Sequence, residues 1–235
     1  MKSRRPKRWC VKAGLAMALL AVGTFLIAPA SAVADDKTDA QATVERAKAT
    51  FDTFMADKNY DWLHKHLADS KGLVIFPEVL KAGFIFGGSG GTGVLVVRNE
   101  KTGDWSQPAF YTIGSVTFGL QIGGQAAQVI MMARTDRAIN SLFTSGFKLG
   151  ADTSIALGPV GAGAEANVMA DFVSFSMTKG AYAGLNLEGS MVKVRNGMNE
   201  AYYGKKVSPV DIIVKKDVSN KGADPLLEDL KEKTK

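Results

Sequence analysis

Apolar residues in the segment 39–58 recur every three or four positions: Ala40, Val44, Ala47, Phe51, Phe54 and Met55. That period places them on one helical face, with Glu45, Arg46, Lys48 and Asp52 opposite. The polar face is charge-balanced, whereas helices that lie on membranes are enriched in Lys and Arg there, so the spacing predicts docking onto the chain's own domain. A second short helix is predicted over 61–70, with Trp62, Leu63, His66 and Leu67 inward. From Lys71 the period changes. Short runs rich in Val, Ile, Phe and Thr alternate with Gly, Asn-Glu and Thr-Gly-Asp, which is the pattern of strands and turns. The first of them, "KGLVIFPEV", is predicted to end at Pro77. One helix interrupts the series: Thr135 reads as its N-cap, Ala138, Ile139, Leu142 and Phe143 share a face, and Gly146 lies past its end. Strand signals resume in "FKLGADTSIALG", "VGAGAEANV", "DFVSFSMTKG" and "AYAGLNLEGSMVKV". Alternation of Phe172, Ser174 and Ser176 with Val173, Phe175 and Met177 suggests a sheet covered on one face. Short helices are expected in "NEAYYGKK" and "DPLLEDLKEK".

The fold class that follows is α+β: N-terminal amphipathic helices packed on a strongly curved, mainly antiparallel sheet, a sandwich or a partly closed barrel, with one mid-chain helix. Glycines inside strand runs, such as Gly83, Gly119, Gly184 and Gly189, favour curvature. No linker-like stretch or long repeat divides the chain, so one domain is expected. Its parts are a helical segment (35–70), a β-rich core (71–215) and a polar tail or short helix (216–235).

The first 34 residues stand apart. A basic start without acids, an apolar run from Ala13 to Ala28 and small residues at Ala30, Ala32 and Ala34 follow the layout of a secretory signal peptide. The run is shorter than the ~20 residues of a spanning helix. Export to the periplasm or cell envelope is expected, with cleavage near Ala32 or Ala34. Arg4-Arg5 hints at the twin-arginine route, but Lys7 stands where that signal wants an apolar residue. Six of the 29 basic residues lie in this segment, which leaves 23 basic against 23 acidic and a net charge of zero. A nucleic-acid partner therefore loses its electrostatic argument. The single cysteine, Cys10, also lies there, so the remainder offers neither disulfide nor thiolate chemistry.

"FGGSGGTGVLVV", 86–97, holds Gly88, Gly90 and Gly93 in the G-x-G-x-x-G spacing. A dinucleotide loop requires a helix after the glycines, and here Val94-Leu95-Val96-Val97 follows, a strand. No Lys-Ser or Lys-Thr completes a phosphate loop either. The stretch reads as a tight glycine turn between antiparallel strands. His64 and His66 are two apart and point to different helix faces, which does not make a metal pair. Ser89 and Ser190 lack a nucleophile-elbow context, and no carboxylate pair stands out. No enzymatic reaction and no cofactor is expected. Trp105 and Phe110 fit core packing better than an interfacial anchor.

Several unusual pieces occur in order: I-F-P at 75–77, K-A-G-F at 81–84 before the glycines, W-S-x-P-x-F at 105–110, G-L-Q-x-G at 119–123, G-P-V-G at 158–161 and K-G-x-x-A-G-x-x-L-E-G at 179–189. By these the chain resembles the SYLF domain family over about residues 40–215. The resemblance implies binding of phosphoinositides or other anionic lipids without catalysis; the domain is also labelled actin-binding in eukaryotic members. An exported chain would not meet cytosolic actin, so the implied partner is an anionic lipid or membrane surface of the envelope. The candidate lipid-binding residues are Lys71, Lys81, Gly90, Gly91, Arg98 and Lys179, chosen because they lie in or beside these motifs. A structural or protein-interaction role in the envelope is the alternative.

Overall fold

The structure is a computed structural model that describes residues 30–83, 86–118, 123–163, 168–178, 181–182 and 185–235. Helix α1 (Ala30–Ala56) is the longest element. Its predicted inward face is buried: Ala40, Val44, Ala47, Phe51 and Phe54 are at most 1% exposed, and Met55 packs at the margin. After a short turn capped by Asp57, helix α2 (Asp61–His66) buries Trp62 and Leu63. Phe54, Tyr60, Trp62 and Phe175 form an aromatic cluster, and Tyr60 Oη donates to the Ser176 carbonyl at 2.9 Å.

Nine strands follow among the described residues: β1 (Gly72–Gly83), β2 (Phe86–Val97), β3 (Ala109–Phe118), β4 (Gly123–Ala133), β5 (Gly146–Lys148), β6 (Ile155–Leu157), β7 (Phe172–Thr178), β8 (Ala181–Tyr182) and β9 (Met191–Val194). They form one strongly curled half-barrel in the order β5-β9-β3-β2-β1-β4-β7-β6, with β8 paired to β7. Every described pairing is antiparallel except β6 with β7. The curved, partly closed sheet is the expected form, and the sandwich alternative is replaced by this single sheet. Helix α3 (Asp136–Leu142) starts where expected, its Ala138 N–H donating to Thr135 Oγ1 at 3.1 Å. Helices α4 (Asn196–Tyr203), α5 (Pro209–Ile213) and α6 (Asp224–Lys233) complete the chain.

Both faces of the sheet carry a core. On one, α1, α2, α4 and α6 cover Leu73, Ile75, Val94, Val96, Phe110, Ile130, Met132 and Phe175. On the other, α3, α5 and the segment around Leu185 and Leu187 cover Val74, Phe76, Leu95, Tyr111, Val129 and Met131. Strand β7 is accordingly buried at every position from Phe172 to Met177, a correction to the expectation of one covered face. Its serines are accommodated by hydrogen bonds: Ser176 Oγ accepts from Leu185 N–H at 3.1 Å, and Ser174 Oγ donates to the Ala156 carbonyl at 3.3 Å.

Two further expectations change. Pro77 does not end its strand. The pairing of β1 slips there, between Ile75 and Glu78 against β2 and between Phe76 and Val79 against β4. A bulge needs no ladder N–H from its extra residue, so proline is tolerated within a central strand. The glycine stretch is no turn either: it is strand β2 itself, hydrogen-bonded to β1 on one side and β3 on the other. The bulge explains two of its glycines. A Cβ on Gly93 would stand 2.2 Å from the Ile75 carbonyl oxygen, and one on Gly91 2.4 Å from that of Glu78. The "VGAGAEANV" run forms no strand over its described residues 160–163 and 168.

Candidate functional site

The bulge divides the sheet. Below it both faces are covered; beyond it β1–β4 run on as an outer end. Register and alternation assign the faces there. On the α1 side, Leu80 of β1 pairs with Gly90 of β2 and Ala126 of β4, Gly90 pairs with Gly114 of β3, and Gly114 with Met191 of β9. One step further out lie Ala82, Gly88, Val116 and Gly124. These nine positions carry no polar side chain. Leu80 is 54% exposed, Val116 75% and Met191 37%. Toward the helices this apolar face is bordered by polar positions: Glu78, Thr92, Thr112 and Lys193 lie in register, and Arg195 Nη1 donates to Thr92 Oγ1 at 2.9 Å.

The opposite face of the same outer end is polar. Lys81 pairs with Ser89 on one side and Gln125 on the other. Ser89 and Ser115 hydroxyls are hydrogen-bonded at 2.8 Å, and Gln125 Nε2 donates to Thr178 Oγ1 at 3.1 Å. A hydrogen-bonding row thus crosses five strands with Lys81 at its centre. Among the described residues no carboxylate lies within ion-pair reach of the Lys81 ammonium. The outer end is therefore an amphipathic blade, apolar on one face and polar with a free cation on the other.

Five of the six sequence candidates fall into two groups. Lys81, Gly90 and Gly91 meet on the blade. Lys71 and Arg98 lie at the other end of β1 and β2, where the Arg98 N–H donates to the Lys71 carbonyl at 2.9 Å. Lys71 is already neutralised. Its Nζ bonds Glu100 and also Asp136 at 3.0 Å, and these contacts, Glu100 first, hold its pKa above the ordinary lysine value. Arg98 Nη1 donates to the Ala68 carbonyl at 2.8 Å. Lys179 lies outside the described residues. Gly91 serves the fold, through the close approach of β1; Gly90 has no heavy atom nearer than 3.9 Å to where a Cβ would stand.

The other side chains weighed from sequence are structural. His64 and His66 rings each hydrogen-bond a backbone carbonyl at 2.8 Å, of Phe54 and Trp62 respectively. Trp105 is 8% exposed, its Nε1 donates to Thr234 Oγ1 at 3.3 Å, and Phe110 is fully buried. The sequence reading missed Leu80, Val116 and Met191. Their signal was present in the alternation, but the bulge after Phe76 shifts β1 by one position and hides which face Leu80 joins.

Comparison with known proteins points one way. The family model Ysc84, described as "Las17-binding protein actin regulator", matches residues 114–233. Over 167 residues, 68% of this chain and 38% of the relative, the sequence is 36% identical to the SH3 domain-containing protein PJ696.02 of Schizosaccharomyces pombe. It is 33% identical over 168 residues to Protein YSC84 of Saccharomyces cerevisiae, covering 68% of this chain and 36% of that one. With the human SH3 domain-containing YSC84-like protein 1 it shares 32% identity over 152 residues, 63% of this chain and 44% of that one. The matched part thus spans less than half of each of these relatives.

Proposed function

The chain belongs to the Ysc84, or SYLF, family, and from that premise we propose that it is a non-enzymatic lipid-binding module that docks on anionic membrane surfaces through the outer end of its sheet. The observation that carries this reading is the blade: an exposed apolar face of Leu80, Val116 and Met191 backed by a polar row holding Lys81, which makes no ion pair among the described residues. Removing a Leu- or Val-sized side chain from water contributes about 1.5–3 kcal/mol at full burial, so two or three such residues suffice for reversible adsorption. A lipid phosphate beside Lys81 adds a charge-assisted hydrogen bond that direct water contact and salt both weaken. The headgroups that fit are anionic phospholipids or phosphoinositide-like groups. In the export reading the protein works in the periplasm or cell envelope; cleavage near Ala32 or Ala34 falls before Ala40, the first buried position among the described side chains of α1.

Co-sedimentation with vesicles tests it. Binding is expected to phosphatidylglycerol or cardiolipin vesicles, to weaken with salt, and to be absent with phosphatidylcholine alone. Lack of binding to any anionic vesicle sinks the reading. The description of the matching family supports a second one, contact with an actin-type partner. Co-sedimentation with actin filaments, indifferent to vesicle composition, is the outcome that would favour it.

A further inference from the structure

At the covered end of the sheet, far along β1 from the blade, a cavity of about 270 Å³ opens between the β2–β3 connection, α3 and the end of α5. Its apolar wall comes from Trp105, Phe143, Ile213 and Val214, and its polar wall includes Arg98 and Lys216. Three observations single it out from an ordinary surface dip.

The first is Arg98. Its Nη1 is used by the Ala68 carbonyl, but its Nε is buried and has no hydrogen-bond partner among the described residues. A buried donor left unmade is destabilising, the more so when the group is charged. The second is Lys216, the one described non-glycine residue with a positive φ, 56°. It follows α5, where Lys215 N–H donates to Val210 O and Asp217 N–H to Asp211 O, a helix ending that favours glycine. A lysine there holds its backbone in strain that a glycine would not feel, so the local fold does not select it. The third is Val214, 59% exposed on the wall beside these cations. The only described carboxylate on the wall, Asp104, is engaged by Lys231 Nζ at 2.6 Å. Lys216 also lies within electrostatic reach of Asp104 without pairing to it, so two cations line the apolar cleft beside a single carboxylate that Lys231 already holds.

We propose that this cavity binds a single-chain anionic amphiphile, its head between Arg98 and Lys216 and its chain against Phe143, Ile213 and Val214. The shared chemistry is one carboxylate or phosphate monoester on one short apolar chain. The volume lies just below the ~300–1,000 Å³ usual for small-molecule sites, room for a short chain and not for a two-chain phospholipid. The site does not depend on the blade: a protein that ignores vesicles could still hold the amphiphile.

Calorimetric titration with decanoate and with decyl phosphate, both below micelle formation, tests the proposal and separates the two head chemistries; saturable one-to-one binding of at least one is expected. Inorganic phosphate alone is expected to bind far more weakly, for want of the chain. The decisive variant is Lys216→Gly. It relieves the left-handed strain, so the thermal midpoint rises, while amphiphile affinity falls about tenfold and vesicle binding stays unchanged. Val214→Asp lowers affinity from the apolar side. Absence of binding by both amphiphiles, unchanged affinity in Lys216→Gly, or a lowered midpoint in that variant each overturns the assignment.

Discussion

The two ends of one sheet are built on opposite terms. Below the bulge the sheet is given to packing: Ile75, Val94, Phe110 and Phe175 are fully buried in one core with Phe51 and Phe54 of α1, and the buried serines of β7 find partners inside the protein. Beyond the bulge the same strands, in the same ladder, still bury Val79, Ile113 and Ala127 against the second core, and then carry Gly, Ala, Ser and a few exposed apolar side chains such as Leu80 and Val116. The inner end shows what the fold needs. The outer end shows surface that the fold alone does not use, and such surface is where contact with something else is most economically explained.

Glycines give the sharpest form of the contrast. Gly93 lies under the Ile75 carbonyl oxygen at 2.2 Å and under the Phe76 ring at 2.6 Å, measured from where a Cβ would stand. Neither neighbour can retreat without breaking the β1–β2 ladder. Gly93→Val is therefore expected to abolish the cooperative unfolding transition seen by circular dichroism. Gly90→Ala meets nothing nearer than 3.9 Å and is expected to be neutral or to stabilise by about 0.5–1 kcal/mol, because glycine in a strand loses more entropy on folding. If both substitutions behave alike in urea titration, the division at the bulge is wrong.

The same division holds for large side chains. Phe175, at 0% exposure, packs against Tyr60 and Trp62. Phe175→Ala is expected to cost about 3–5 kcal/mol. Leu80→Ala, at a position 54% exposed, is expected to change stability by less than about 0.5 kcal/mol. Urea midpoints measure both.

How legible was this from sequence? The inner end was largely so. The face of α1 from Ala40 to Phe54 repeats at helical spacing, and Thr135 announces α3, because those signals are local. Lengths and pairings were read less well where their cause lies on a neighbouring strand. Pro77 looks like a strand end until β1 is seen to bulge there, and Gly91 and Gly93 look like a turn until the bulge is seen to lean on them. Helix α5 went unread because it has only five residues and owes its start to a reciprocal cap between Ser208 and Asp211. On the site, Lys81 was placed among the candidates by its motif. Its apolar counterpart face was missed because one bulge residue changes the parity of the alternation. The ion pairs of Lys71 could not be read, since nothing in the local sequence shows that Glu100 and Asp136 converge on it.

Charge placed on the apolar face tests what the outer end does. A Leu80→Glu, Val116→Glu double variant puts two carboxylates where the proposal puts acyl chains. The urea midpoint should hardly move, because both side chains are exposed. Affinity for phosphatidylglycerol vesicles should fall by about a hundredfold or more, from lost burial and added repulsion. Full retention of vesicle binding would move the contact elsewhere on the molecule.

The smallest effect separates the ends by pH. Asp171 sits at the inner end, where burial pushes its carboxyl up, but hydrogen bonds from Thr135 Oγ1 at 2.6 Å and from Ser154 N and Oγ at 2.9 Å outweigh this, with help from Arg137. Its pKa is thereby held below the ordinary carboxylate value. A depressed folded-state pKa means the carboxylate stabilises the fold above about pH 4, its unfolded value, and that this contribution fades as pH falls through the lower folded value. Asp171→Asn should cost about 1 kcal/mol near neutrality and progressively less below pH 4, flattening the acid limb of the stability profile. Lys81→Gln at the outer end has no ion pair to lose among the described residues and should leave that profile unaltered while weakening vesicle binding. A change in acid stability from Lys81→Gln would show that the outer end, too, is tied into the fold by charge.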